Sequence, residues 1–291
     1  WRNNHGAAGR REWVEPDSNP QAVAESGHAS SVKLMPTPVS DSIALTGDSL
    51  KDGLIQGSTW VFDEPQRVLT YSFNVNFDYT PQGQPIPSVG GSWDTNPAIA
   101  NAVVLALASW SGVANISFAN VISGNYVFES MADIAFGLTG DDLTNSIGAI
   151  ALGFFPDPAY ASLIIDESGY TRIQYPRPEG DILLDNFQPV YSHMSAGGYG
   201  LSTLIHEIGH ALGLKHPFDD GGNNRPTFGQ NNLLQYDSER YTVMSYSGTS
   251  GNHATGHAAT PMLLDIQAIQ TIYGANLSYR TGDDIYTLAI D

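Results

Sequence analysis

His206-Glu207-Ile208-Gly209-His210-Ala211-Leu212-Gly213-Leu214-Lys215-His216-Pro217 is the most informative stretch of this chain. On a helix His206 and His210 stand i, i+4 and leave the same face about one turn apart. Two neutral imidazoles at that spacing bind one tetrahedral Zn²⁺ without bending the helix. Glu207 falls beside the metal but is poorly aimed to ligate it, which is where a general base for a zinc-activated water belongs. Gly213 tolerates φ > 0 and so permits a sharp break, after which the chain can turn back and bring His216 to the same ion. Three histidines leave one coordination position open, as in a catalytic rather than a closed structural site. Chance alone gives a His-Glu-x-x-His somewhere in a chain of this composition with a probability of roughly 1%, and the added glycine and third histidine lower it more than a further hundredfold.

Composition bounds the alternatives. The 291 residues include 30 acidic and 12 basic side chains, a formal net charge of −18. Nucleic acid and anionic membranes both call for a basic surface, so neither is an expected partner. A hydrophobic fraction of 41% belongs to a globular chain. Cysteine is absent, which excludes disulfides, thiolate ligands and a cysteine nucleophile. The longest apolar stretch, Ala98 to Trp110, is interrupted by Asn101 and is too short to span a bilayer.

Residues 1–45 are polar and irregular and read as an N-terminal tail, propeptide or linker that is largely disordered. Val68–Phe73 alternates as a strand. Asn96 and Pro97 form a cap and first position of a helix that buries Ile99, Val103, Leu107 and Trp110. Ile116–Val121, Ala132–Phe136, Ile147–Phe155 and Ile182–Leu184 follow as strands. The metal helix starts after Gly197-Gly198-Tyr199-Gly200, with Ser202 or Thr203 as its cap. A last helix covers Pro261–Tyr273. Strands with a helix among them, then the metal helix and a loop-rich segment, indicate an α+β domain with a cleft. His193, His253 and His257 lack ligand spacing to the motif, and Asp219–Asn224 reads as a solvated loop before it reads as a cation site.

The zinc stretch, with its closing His-Pro, resembles the signature of the serralysin branch of the metzincin metalloproteases. Tyr241-Thr242-Val243-Met244-Ser245-Tyr246 is similar to the methionine turn of that group. Leu263 to Ser278, Leu69-Thr70-Tyr71-Ser72-Phe73 and Ser109 to Phe118 resemble its closing helix, first strand and first long helix. The resemblance implies a two-lobed zinc protease domain over residues 46–278, with a twisted mixed sheet, an active-site helix and the methionine turn. It implies one catalytic Zn²⁺ on His206, His210 and His216, with Glu207 catalytic. Met244 becomes a hydrophobic floor, and Tyr246 both approaches the metal and assists catalysis. Ile147, Gly148, Ala149, Ile150 and Ala151 are expected to form the exposed edge on which a peptide adds as a strand.

Residues 279–291 are expected to begin a C-terminal region mostly absent from this chain. Calcium is expected mainly if that region continues as a repeat domain, because the single Gly282-Asp283-Asp284 here makes no array. The resemblance further implies a secreted, extracellular bacterial enzyme, monomeric, whose partners are protein or peptide substrates and a protein inhibitor in the cleft. The rival readings are a non-catalytic zinc-retaining module of a larger adhesin or toxin-like protein, and a zinc hydrolase of non-peptide amides.

Overall fold

In the computed structural model the described residues are 37–63, 67–73, 89–91, 97–121, 132–139, 148–158, 179–185, 193–248 and 256–282. Their elements are β1 (Val39–Ser40), α1 (Ser49–Asp52), β2 (Thr59–Trp60), β3 (Val68–Phe73), β4 (Val89–Gly91) and α2 (Pro97–Ser111). Then come β5 (Ser117–Asn120), β6 (Ile134–Thr139), β7 (Ala151–Gly153), β8 (Ile182–Asp185), α3 (Tyr199–Ala211) and α4 (Leu263–Tyr273). The order β5-β3-β6-β8-β7 makes a mixed sheet, with β4 also paired to β6. β3, β5, β6 and β8 run parallel, while β7 lies antiparallel on β8. The strand and helix patterns predict the α+β chain, and the mixed sheet is what the resemblance implies.

Ile99, Val103, Leu107 and Trp110 are buried as their helical spacing requires. Trp110 carries α2 onto α3, its indole N–H donating to the Ile205 carbonyl at 3.1 Å. The Trp60 indole donates to Ala211 O at 2.8 Å, and the Tyr273 hydroxyl to Leu212 O at 3.0 Å. Helix α3 is thus held from three directions by large side chains whose polar tips find backbone acceptors.

Several expected boundaries move. The strand read over Ile147–Phe155 is shorter, Ala151–Gly153 on β8 with backbone bonds continuing at Ile150 and Phe154, and Ile147 lies outside the described residues. Gly148, at φ +75°, turns the chain just before it. Asn96 and His253 also lie outside. Ser202 and Thr203 are not caps: α3 begins earlier, at Tyr199 after Gly198, which makes no side-chain cap bond. The first amides are satisfied by the preceding turn instead, since Gly200 N donates to His193 O at 3.0 Å. Thr203 sits inside the helix, its hydroxyl donating back to Tyr199 O at 2.9 Å.

The stretch 37–45, which composition assigns to the tail, is packed on the domain. Val39 and Ser40 pair with Trp60 and Thr59, Ile43 N donates to Gly57 O at 3.0 Å, and the side chains of Val39 and Ile43 reach the core. A two-residue ladder leaves no periodicity to read in sequence. The domain therefore extends N-terminal of the expected boundary at residue 46. No helix among the described residues is long and apolar enough to cross a membrane.

Candidate metal centre

His206 and His210 leave α3 together, with ring centroids 4.7 Å apart. The helix ends at Ala211, and Gly213 at φ +97° reverses the chain; a Cβ there would also lie 2.6 Å from Ser58 O, so both conformation and space require glycine. The reversal brings His216 back, its ring 4.6 Å from that of His210 and 5.2 Å from that of His206. His216 Nε2 is 3.2 Å from His206 Nε2 and 3.1 Å from His210 Nε2.

Each Nδ1 has an oxygen acceptor. His206 donates to Val243 O at 2.8 Å, His210 to Leu214 O at 2.8 Å and His216 to Asp219 Oδ2 at 2.5 Å. With the proton committed to Nδ1, three Nε2 lone pairs face one another, an arrangement that needs a cation between them. Burial lowers the His206 pKa to about 3 and that of His210 well below its ordinary value, and the neighbouring imidazoles add to both shifts. Both rings are therefore in the neutral form that ligates a metal. A tetrahedral Zn²⁺ at ~2.0–2.1 Å from each nitrogen sets pairs of nitrogens roughly 3.3 Å apart, so this donor set fits the ion. Among the described residues these three histidines are the group of His, Asp and Glu that could hold a metal.

Glu207 is buried on the next position of α3. Burial pushes its carboxyl up to about 8, against the backbone N–H of Gly153, which holds it down. Gly153 ends β7, the last strand in the sheet order, and a Cβ there would lie 2.5 Å from Glu207 O. Only glycine lets the edge strand come this close to the helix. The cleft between them has a volume of about 310 Å³, and Ala149, Ala151, Gly153, Glu207, His216 and Tyr246 are among its lining.

Met244 is fully buried, and a Cβ on Gly209 would fall 2.6 Å from its sulfur. The thioether therefore fills the space that Gly209 leaves beneath the helix. Tyr246 is 68% exposed, its ring stacked on His206 at 5.5 Å and 4.6 Å from His216. Desolvation first, and the Glu207 charge second, push its hydroxyl up to about 12, so the phenol keeps its proton. His193 serves the start of α3 through its carbonyl, and the His257 ring lies 4.9 Å from that of Tyr199, with Nδ1 3.4 Å from Glu239.

Two residues escape a sequence reading. Asp219, read as loop, is the acceptor for His216. Asp265 fixes the turn that orients His206: it accepts from Thr242 Oγ1 at 2.5 Å and from Val243 N and Met262 N at 2.8 Å each. The available signal was modest, an acid three residues beyond the His for Asp219 and an acid in the first turn of an apolar helix for Asp265.

No family model matches the chain. It is 36% identical to serralysin of Proteus mirabilis over 62% of its own length and 35% of that protein's. It is 33% identical to serralysin A of Dickeya chrysanthemi over 84% of its length and 46% of that protein's. To metalloprotease AprA of Pseudomonas entomophila it is 34% identical, over 62% and 34%. The chain thus spans between about a third and a half of the length of these relatives.

Proposed function

From its similarity to the serralysins, which covers 84% of the chain in the Dickeya comparison, we propose that this protein is a secreted zinc endopeptidase that cleaves peptide bonds of protein substrates. The observation that carries the proposal is the convergence of three Nε2 atoms, each with its Nδ1 proton already committed, beside a buried carboxyl at the mouth of a cleft. His206, His210 and His216 would hold the metal. Zinc there supplies Lewis acidity, bringing the pKa of a water near 7 and polarising a carbonyl.

The chain's own groups do the rest. Glu207, buried on α3 and lining the cleft with His210 and His216, takes the proton of the attacking water and returns it to the leaving amine. Tyr246, protonated and on the exposed face of the histidines, donates to the oxygen on which charge develops. Met244 is the floor of the site. A peptide adds along β7 and the residues before it, Gly148 to Ala151, with backbone bonds supplying affinity. The sheet and α3 then form one wall of a two-lobed domain and the loop-rich segment after His216 the other.

Casein digestion tests the reading. The protein should degrade casein, lose this activity in o-phenanthroline and regain it with added zinc. Zinc-loaded protein that leaves casein and a panel of unstructured peptides intact would contradict it, and favour a module that keeps zinc for structure alone.

A further inference from the structure

His206 and His210 are set by a helix, whereas His216 stands on a loop, and what holds that loop is a buried ammonium. Lys215 is 0% exposed, and its Nζ donates to Gly53 O at 2.6 Å, Asp219 O at 2.8 Å and His216 O at 3.0 Å. Three donors meet three carbonyls, and no carboxylate is among these partners. Two of the carbonyls belong to the metal loop, at the ligand itself and at the residue whose carboxylate orients it. The third belongs to the segment following α1.

That segment is stitched to the loop elsewhere too. Gln56 N donates to Gly213 O at 2.9 Å and Lys215 N to Leu54 O at 2.8 Å. The Gln56 side chain reaches Gly221 O at 3.3 Å, and Arg225 Nε returns to Gln56 O at 3.0 Å. Residues 53–56 and 213–225 thus form one hydrogen-bonded unit with the Lys215 ammonium at its centre. An ammonium shielded from solvent attracts carbonyl dipoles strongly, and without it these three carbonyls lose the partner that holds them together. A turn of the 216 or 219 peptide would carry His216 Nε2 or Asp219 Oδ2 off its partner.

We propose that Lys215 is a positioning residue of the metal centre: its ammonium gathers the carbonyls of Gly53, His216 and Asp219 and so makes retention of the metal depend on the docked segment 53–56. The proposal rests on the metal-binding reading of the three histidines and extends it to residues that touch neither metal nor substrate.

The test is the rate at which zinc-loaded protein gives up its ion to an excess of the coloured chelator 4-(2-pyridylazo)resorcinol. Lys215→Met keeps the buried stem and removes the ammonium, and should release zinc at least ~10-fold faster, the scale of lost support around a ligand. Leu107→Ala, a cavity in α2 away from the loop, should stay within about twofold of the parent even though it lowers stability. Equal release from parent and Lys215→Met, or equal acceleration in both variants, overturns the proposal. The parent supplies a second measurement that needs no variant to fold. On zinc removal the amides of Gln56, Lys215 and Gly221 should lose protection from hydrogen exchange together. Unchanged protection at Gln56 overturns the proposal as well. A parent that takes up no zinc instead removes the metal reading beneath it, an outcome distinct from either.

Discussion

Tyr246 differs from the three histidines in what its removal should cost. Its ring lies against those of His206 and His216. Tyr246→Phe should lower kcat by roughly 10–1000-fold with little change in KM and full zinc content, the pattern of a donor used mainly in the transition state. An unchanged kcat in steady-state kinetics on a quenched fluorescent peptide makes Tyr246 a packing residue, and lost zinc makes it a required ligand. Asp265 carries a prediction about stability. Burial pushes its carboxyl up to about 6, despite three hydrogen bonds that oppose the shift. A raised folded-state pKa means that the fold binds the proton more tightly than the unfolded chain, where an Asp titrates near ~3.9. The contribution is complete below about pH 4 and is lost as pH rises through about 6. Asp265→Asn is less stable throughout, but its deficit against the parent should narrow by about 3 kcal/mol at most between pH 4 and pH 7. Urea denaturation at both ends of that range measures it, and a deficit that widens with pH has the sign wrong.

At the scale of elements, the closest approach in the site is that of β7 to α3. Gly153→Ala puts a methyl against Glu207 O, a backbone atom that cannot swing aside. The strand must then retreat, taking its amide from Glu207 and its edge from the cleft. Overpacking of this kind costs about 1–3 kcal/mol; we expect a lowered Tm together with a raised KM for peptides, and wild-type KM in a folded Gly153→Ala protein would remove β7 from substrate binding. The same elements show what a sequence can reveal. The buried stripe of α2 is legible from its helical spacing, and Val68–Phe73 is legible as a strand, although Leu69 to Ser72 are buried without a break where alternation was expected. β7 was legible as a strand but not in length, since its three pairs are fixed by β8. The start of α3 was misread because Gly198 and the turn before it supply what Ser202 or Thr203 was expected to supply. His206, His210 and His216 stand within eleven residues and declare their chemistry locally. Asp265 and Lys215 do not, because they act through partners, such as Thr242 and a carbonyl of Gly53, that only the folded chain brings near, and Asp219, though close to His216 in sequence, shows its role only once the loop is in place.

Among the described residues the sheet, α2 and α3 share one packed core with Phe228, Val243 and Met244 of the loop-rich segment after His216, and backbone hydrogen bonds set much of that segment's remaining geometry. An ion bound only by the folded chain adds stability by mass action, about 4 kcal/mol at a thousandfold excess over its Kd. Calorimetry should therefore show Tm rising on addition of zinc to metal-free protein, and no rise would separate the histidines from folding stability. The central claim, that one zinc on His206, His210 and His216 serves peptide hydrolysis with Glu207 as its base, is met most directly by titrating zinc into metal-free protein while following cleavage of a fluorescent peptide. Activity should rise linearly and break at one equivalent, and Glu207→Gln should take up the same equivalent and stay at least ~1000-fold less active. Activity that is independent of zinc, or a Glu207→Gln protein as fast as the parent, would contradict the account.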